Sequence, residues 1–160
     1  MEFSRRNLII GGFSLGALAY ANLASANPKG NFPFKLSEAQ WRKRLSPTAF
    51  AVLRQEATER PGSSPLNKEK RKGIFSCAGC ALPLFSSSTK YESGTGWPSF
   101  WQALPNSVGT SEDNSQFATR IEVHCARCGG HLGHVFDDGP KPTGKRFCMN
   151  GAALSFKAST

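Results

Sequence analysis

The chain has 160 residues, a formal charge of +9, and 39% hydrophobic against 19% charged residues. This is the length of one ordinary domain, and the composition is globular, not disordered or collagen-like. No heptad run and no internal repeat of roughly 20–50 residues is present, which excludes coiled coils and solenoids. The positive residues are scattered, and the densest run, Asn67-Lys68-Glu69-Lys70-Arg71-Lys72, is short and reads as a solvated loop, not a nucleic-acid surface.

Residues 1–26 read as an address. Arg5-Arg6 precede a weakly apolar stretch, Leu8 to Leu23, that contains Gly11, Gly12 and Gly16, and Ala24-Ser25-Ala26 fits a small-residue cleavage site. The stretch is too short and glycine-rich for a comfortable membrane span. It resembles a bacterial twin-arginine export signal. An ordinary secretory signal and an uncleaved anchor are the alternatives. The expected product is an exported, periplasmic domain, 27–160, with no stable membrane association after cleavage.

Residues 27–36 form an extended lead-in broken by Pro28, Gly30 and Pro33. Ser37 with Gln40 has the form of a capping box, so a short helix starts near Glu38. Ser46-Pro47 starts a second helix, with Phe50, Leu53 and Ala57 as its apolar stripe and a stop near Pro61-Gly62. From Gly73 the texture becomes short strands between turns. The clearest strand is Phe117 to Cys125, where Phe117, Thr119, Ile121 and Val123 alternate with Ala118, Arg120, Glu122 and His124, predicting one buried face. Ile74-Phe75, Leu132–Phe136 and Ala152–Phe156 are weaker strand candidates. Asp137-Asp138-Gly139-Pro140 and Lys141-Pro142-Thr143-Gly144 are turns. The prediction is a mainly β, antiparallel domain behind short N-terminal helices.

The five cysteines fall in a 2 + 2 + 1 pattern. Cys77-Ala78-Gly79-Cys80 and Cys125-Ala126-Arg127-Cys128 each bring two sulfurs to one point from a tight turn, and together they match the four thiolates of a structural zinc knuckle pair. Two disulfides, or a dithiol oxidoreductase, are the competing readings. Zinc would also suit an export route that carries folded proteins with metal already bound. Cys148 is left over, flanked by Arg146, Phe147, Met149 and Asn150. It is either a buried structural cysteine or a nucleophile whose pKa Arg146 lowers from the same strand face. His131 and His134, followed by Asp137 and Asp138, are structural residues, acid–base groups or a ligand pair. Trp97, in Gly94-Thr95-Gly96-Trp97-Pro98-Ser99-Phe100, is either packing or the wall of a pocket.

These pieces in this order resemble the methionine-R-sulfoxide reductase B family. The resemblance rests on the two C-x-x-C pairs, Tyr91 to Phe100, Gly130 to Phe136, Asp138-Gly139-Pro140 and Arg146 to Asn150, and runs from about Leu36 to Phe156. It implies two antiparallel sheets forming a curved β core, with zinc on Cys77, Cys80, Cys125 and Cys128 away from the chemistry. It implies reduction of R-methionine sulfoxide in oxidised proteins, with Cys148 as nucleophile passing through a sulfenic acid. By the same resemblance, His131 and His134 flank the sulfoxide oxygen, Asp138 supports that network, and Arg146 favours the thiolate. Asn150 hydrogen-bonds in the site and Trp97 packs on the substrate methyl group. Many relatives carry a resolving cysteine just before Gly-Trp-Pro-Ser-Phe, where this chain has Gly94 and Thr95. Recycling is therefore expected from an external thioredoxin-like or small-thiol reductant. A zinc-ribbon binding module with an inert Cys148 is the rival in a different class.

The export reading has a direct check. Changing Arg5 and Arg6 together to lysine keeps the charge but removes the paired guanidinium geometry. Cell fractionation should then find the protein in the cytoplasm with residues 1–26 attached; normal export would indicate the general secretory route.

Overall fold

Capping side chains set where the helices begin. In the computed structural model, which describes residues 30–115 and 118–160, the Ser37 hydroxyl accepts from the Gln40 amide at 3.3 Å and the Gln40 side chain accepts from the Ser37 amide at 2.8 Å. Helix α1 follows as Glu38–Arg44. Ser46 accepts from the Ala49 amide at 3.2 Å, with Pro47 opening α2, Pro47–Gln55. Helix α2 stops well before Pro61-Gly62 because Glu56 turns left-handed at φ 56°. Ala57 is thus outside the helix, and the buried face is Ala49, Phe50, Val52, Leu53 and Arg54. The export signal, and the Phe117 start of the expected strand, lie outside the described residues.

Among the described residues nine strands follow: β1 Gly73–Cys77, β2 Pro83–Ser86, β3 Lys90–Tyr91, β4 Ser99–Phe100, β5 Val108–Asp113, β6 Arg120–Cys125, β7 His131–Phe136, β8 Arg146–Met149 and β9 Leu154–Ala158. They form two antiparallel sheets, β2-β1-β9 and β3-β4-β8-β7-β6-β5. This is the mainly β, two-sheet architecture with leading helices that the sequence suggests. Phe75, Phe85 and Phe100, all fully buried, bind the sheets together. Their ring centroids lie 5.0 Å (Phe75–Phe100) and 4.4 Å (Phe85–Phe100) apart.

Two strand readings need correction. On β6 the period of two is present, but Ile121 is 38% exposed, while Val123 and Cys125 are buried. The other face, Arg120, Glu122 and His124, is half-buried and polar, so β6 does not divide simply into a core side and a water side. The last strand begins at Leu154 instead of Ala152, because Gly151–Ala153 coil into a 3₁₀ turn first.

Strand β8 is flanked on both sides. Cys148 pairs with Ser99 on β4 and with His134 on β7. Tyr91 lies beyond Ser99, and Glu122 then Ser111 lie beyond His134. Residues directly opposite one another share a sheet face, so Tyr91, Ser99, Cys148, His134, Glu122 and Ser111 form one cross-sheet row. Close approach of β7 to β8 depends on Gly133, at φ 155°, where an added Cβ would lie 2.1 Å from the Cys148 carbonyl oxygen. Gly133→Ala should therefore destabilise the domain by about 3 kcal/mol, read from urea unfolding midpoints; an unchanged midpoint would show that the strands can separate there without loss.

Candidate active site and candidate metal centre

The metal centre is built at the ends of strands from both sheets. Cys77 closes β1 and Cys125 closes β6, and each leads into a tight turn, closed by Ala81 N–H to Cys77 C=O and Gly129 N–H to Cys125 C=O, both at 2.8 Å. Cys80 and Cys128 occupy those turns, and the four sulfurs lie within 4.8 Å of one another, all buried. The Cys77–Cys128 and Cys80–Cys125 sulfurs are 3.7 and 3.5 Å apart. Tetrahedral metal–sulfur bonds of about 2.3 Å place sulfurs about 3.8 Å apart, so the donor set fits such an ion. All five cysteines are free, and four converge on one point instead of forming two separate pairs.

Three guanidinium groups wrap this cluster. Arg44 Nε donates to Gly79 C=O at 2.6 Å, Arg54 Nη1 to Cys128 C=O at 3.1 Å and Arg127 Nη1 to Cys80 C=O at 3.2 Å. Arg54 is buried with its guanidinium 4.9 Å from the Trp41 ring centroid. Burial lowers its pKa, and the Cys128 and Cys77 thiolates act the other way. Four thiolates around a divalent ion leave a net negative charge, and these arginines offset it.

At the other site, Cys148 is half-buried. Thr95 Oγ1 lies 3.8 Å from its sulfur. Arg146, two residues before on the same face, is held by Asp138 through paired contacts, Nε–Oδ1 at 2.8 Å and Nη2–Oδ2 at 2.9 Å, and rests 4.3 Å from the Phe136 ring centroid. The Asp138 hydrogen bond, and then the Cys148 charge, push the Arg146 pKa up, so the guanidinium is a permanent cation beside the thiol. Arg146 in turn lowers Asp138. Asp138 thus serves Arg146, and the carboxylates on the histidines are different ones.

His131 Nδ1 meets Glu122 Oε1 at 2.8 Å, and His134 Nε2 meets Asp113 Oδ2 at 2.7 Å. An ionised carboxylate only accepts, so each of those ring nitrogens carries its proton. His131 is 4% exposed, and its Nε2 is buried without a partner among the described residues. Burial lowers the His134 pKa, with Asp113 acting against it. Burial acts to raise Glu122, but its contacts with His124, His131 and Ser111 outweigh it and hold the carboxyl well below the usual range. Asp113 is likewise depressed, by Ser115 above all, then by His134 and Arg120.

Trp97 and Asn150 are held by one loop residue. The Trp97 indole donates to Glu59 C=O at 3.1 Å, Asn150 Oδ1 accepts from the Glu59 amide at 2.9 Å, and Asn150 Nδ2 donates to Leu132 C=O at 3.1 Å. Both ends of the Asn150 amide are therefore engaged by backbone. The Glu59 carboxylate caps the turn after Cys148, accepting from Gly151 N at 2.5 Å and Ala152 N at 2.9 Å. The structure thus gathers Cys148, Arg146, His134 and His131 on the adjoining strands β7 and β8, Asp138 in the turn between them, and Trp97 and Asn150 tied to Glu59. Sequence reading passed over Glu122, Asp113, Glu59 and Thr95. Glu122 carried a signal, an acid on the polar face of an alternating strand; Asp113 and Glu59 carried none, because only the fold brings them near.

Comparison with known proteins is consistent with this geometry. The SelR domain family model matches residues 45–158. A Methanosarcina barkeri protein named peptide methionine sulfoxide reductase MsrB is 57% identical over 122 residues, 76% of this chain and 86% of that relative. Peptide methionine sulfoxide reductase B1, chloroplastic, of Arabidopsis thaliana is 47% identical over 158 residues, 96% of this chain and 77% of that relative. The Bradyrhizobium diazoefficiens MsrB is 53% identical over 122 residues, 76% and 88% of the two chains.

The depressed carboxylates set a pH dependence. A group whose folded pKa lies below its unfolded value contributes stability that is present above the unfolded value and is lost as pH falls through the folded one. Stability should therefore drop as pH falls below about 4. Glu122→Gln should be less stable than the parent at pH 7 and should show a shallower acid decline in urea unfolding; identical slopes would mean Glu122 is not held ionised by its neighbours.

Proposed function

We propose that this chain, which belongs to the SelR-domain family and is an oxidoreductase acting on methionine sulfoxide, reduces the R epimer in oxidised proteins with Cys148 as nucleophile. The observation that carries the reading is the placing of a half-buried thiol beside a fixed cation, Arg146, and next to His134 in one row. The R stereochemistry rests on the family resemblance. Repair of oxidised proteins follows from the same membership.

In this reading the Cys148 thiolate attacks the sulfoxide sulfur. The S–O bond breaks and the oxygen passes to the cysteine as a sulfenic acid, releasing methionine. The oxygen must gain a proton as that bond breaks. His131, with Nδ1–H anchored on Glu122 and Nε2 without a partner among the described residues, would deliver that proton from Nε2 in its doubly protonated form. His134 with Asp113, and Arg146 with Asp138, keep the surrounding charge in place. Trp97 offers its indole face to the substrate methyl, and Asn150 holds the turn that follows Cys148.

Cys77, Cys80, Cys125 and Cys128 would hold Zn²⁺, which supplies folding stability and no chemistry at Cys148. With those four assigned, two external thiols reduce the sulfenic acid, giving the Cys148 thiol, water and one disulfide. A thioredoxin-like protein or a small thiol is the donor. The export signal read from Arg5-Arg6 supports a periplasmic setting for this work.

Cys148→Ser separates the enzyme from a metal-binding module. It should keep the fold and one zinc per chain while R-methionine sulfoxide reduction falls by at least about 10³-fold, since a serine hydroxyl is scarcely ionised where a thiol is. Residual turnover near the parent's would remove Cys148 from the reaction.

A further inference from the structure

Cys148 also touches a line of hydroxyl groups. Thr95 Oγ1 lies 3.8 Å from the Cys148 sulfur, Ser93 Oγ lies 2.8 Å from Thr95 Oγ1, and Ser99 Oγ lies 2.7 Å from Ser93 Oγ. Ser99 is fully buried and its hydroxyl reaches Trp97 C=O at 3.1 Å. Each hydroxyl has one proton to give. If Ser99 donates to Trp97 C=O, Ser93 must donate to Ser99 and Thr95 to Ser93. The Thr95 oxygen is then left to accept from the Cys148 thiol. Once Cys148 is a thiolate it can only accept. The same chain fits that state when every hydroxyl turns over: Thr95 donates to sulfur, Ser93 to Thr95 and Ser99 to Ser93, releasing Trp97 C=O. No heavy atom has to move.

We propose that Thr95 supplies a reversible hydrogen bond to Cys148, accepting from the thiol and donating to the thiolate through reversal of the Ser93–Ser99 chain. The proposal deepens the reading of Cys148 as nucleophile and rests on it. Hydrogen bonds in such a line polarise one another, and a donor to the charged form favours that form. The end of the chain lies on the loop that carries Trp97, so ionisation of the nucleophile is coupled to the backbone of the proposed methyl-binding residue. The charged and titratable groups around Cys148 are Arg146 on its own strand with its partner Asp138, His134 on β7 and Tyr91 on β3. None of them is altered by a change at Thr95.

The test is the pH dependence of Cys148 alkylation by iodoacetamide in the zinc-loaded protein, followed by peptide mass spectrometry. This measurement needs no sulfoxide turnover, so it fails or succeeds independently of the Cys148→Ser assay. Thr95→Val, which removes the hydroxyl at nearly constant volume, should move the alkylation midpoint up by about one pH unit. Thr95→Ser should keep the parent midpoint. If the valine variant does not fold, Thr95→Ala carries the same expectation. A midpoint unchanged in the hydroxyl-free variant, or displaced equally in Thr95→Ser, would overturn the proposal.

Discussion

The site depends on the antiparallel register of β8 between β4 and β7. Cys148 is placed by backbone hydrogen bonding to neighbours on both sides, which puts Ser99 and His134 directly beside it. A one-residue slip would turn Cys148 and Arg146 together to the opposite face, away from Ser99 and His134. Gly133 permits the close approach, and Glu59, clasping the turn after β8, prevents the strand end from fraying. Cys148 therefore sits on a strand held on both sides, not on a loop, which is the kind of support precise positioning requires.

Electrostatics divides the domain in two. At one end, four thiols converge and three arginines donate to the carbonyls of their turns. This joins β1 of the smaller sheet to β6 of the larger one. At the other end, two histidines are each anchored on a depressed carboxylate and one arginine is forked onto Asp138. Strand β6 serves both regions: Cys125 ends it at the metal centre, and Glu122, three residues earlier, holds His131. A metal at the cysteines would thus influence the chemistry only by fixing β6.

Much of this was legible in the chain. Ser37 with Gln40 and Ser46 with Pro47 are local signals, and both helices start where those signals fall. The paired C-x-x-C spacing carries the cluster in the same way, since each turn is self-contained. The end of α2 is not legible, because the left-handed turn that stops it is made by Glu56, a residue with no special preference for it. Alternation along β6 reveals two faces without saying which one the fold covers, so Ile121 is exposed where the pattern predicts burial. Asp113 and Glu59 were missed for a stronger reason: their partners, His134 and the Gly151 turn, are distant in sequence, and nothing local marks a carboxylate that becomes functional by tertiary contact.

The central claim is that Cys148 alone takes up the sulfoxide oxygen, with no second cysteine to trap it. The most direct measurement is the intact mass of the zinc-bound enzyme after one turnover on R-methionine sulfoxide without reductant, with dimedone as trap. The account predicts a gain of one oxygen, localised to Cys148 and trapped by dimedone. A loss of two hydrogens, with Cys148 joined to Cys77, Cys80, Cys125 or Cys128 while the metal stays bound, would contradict it.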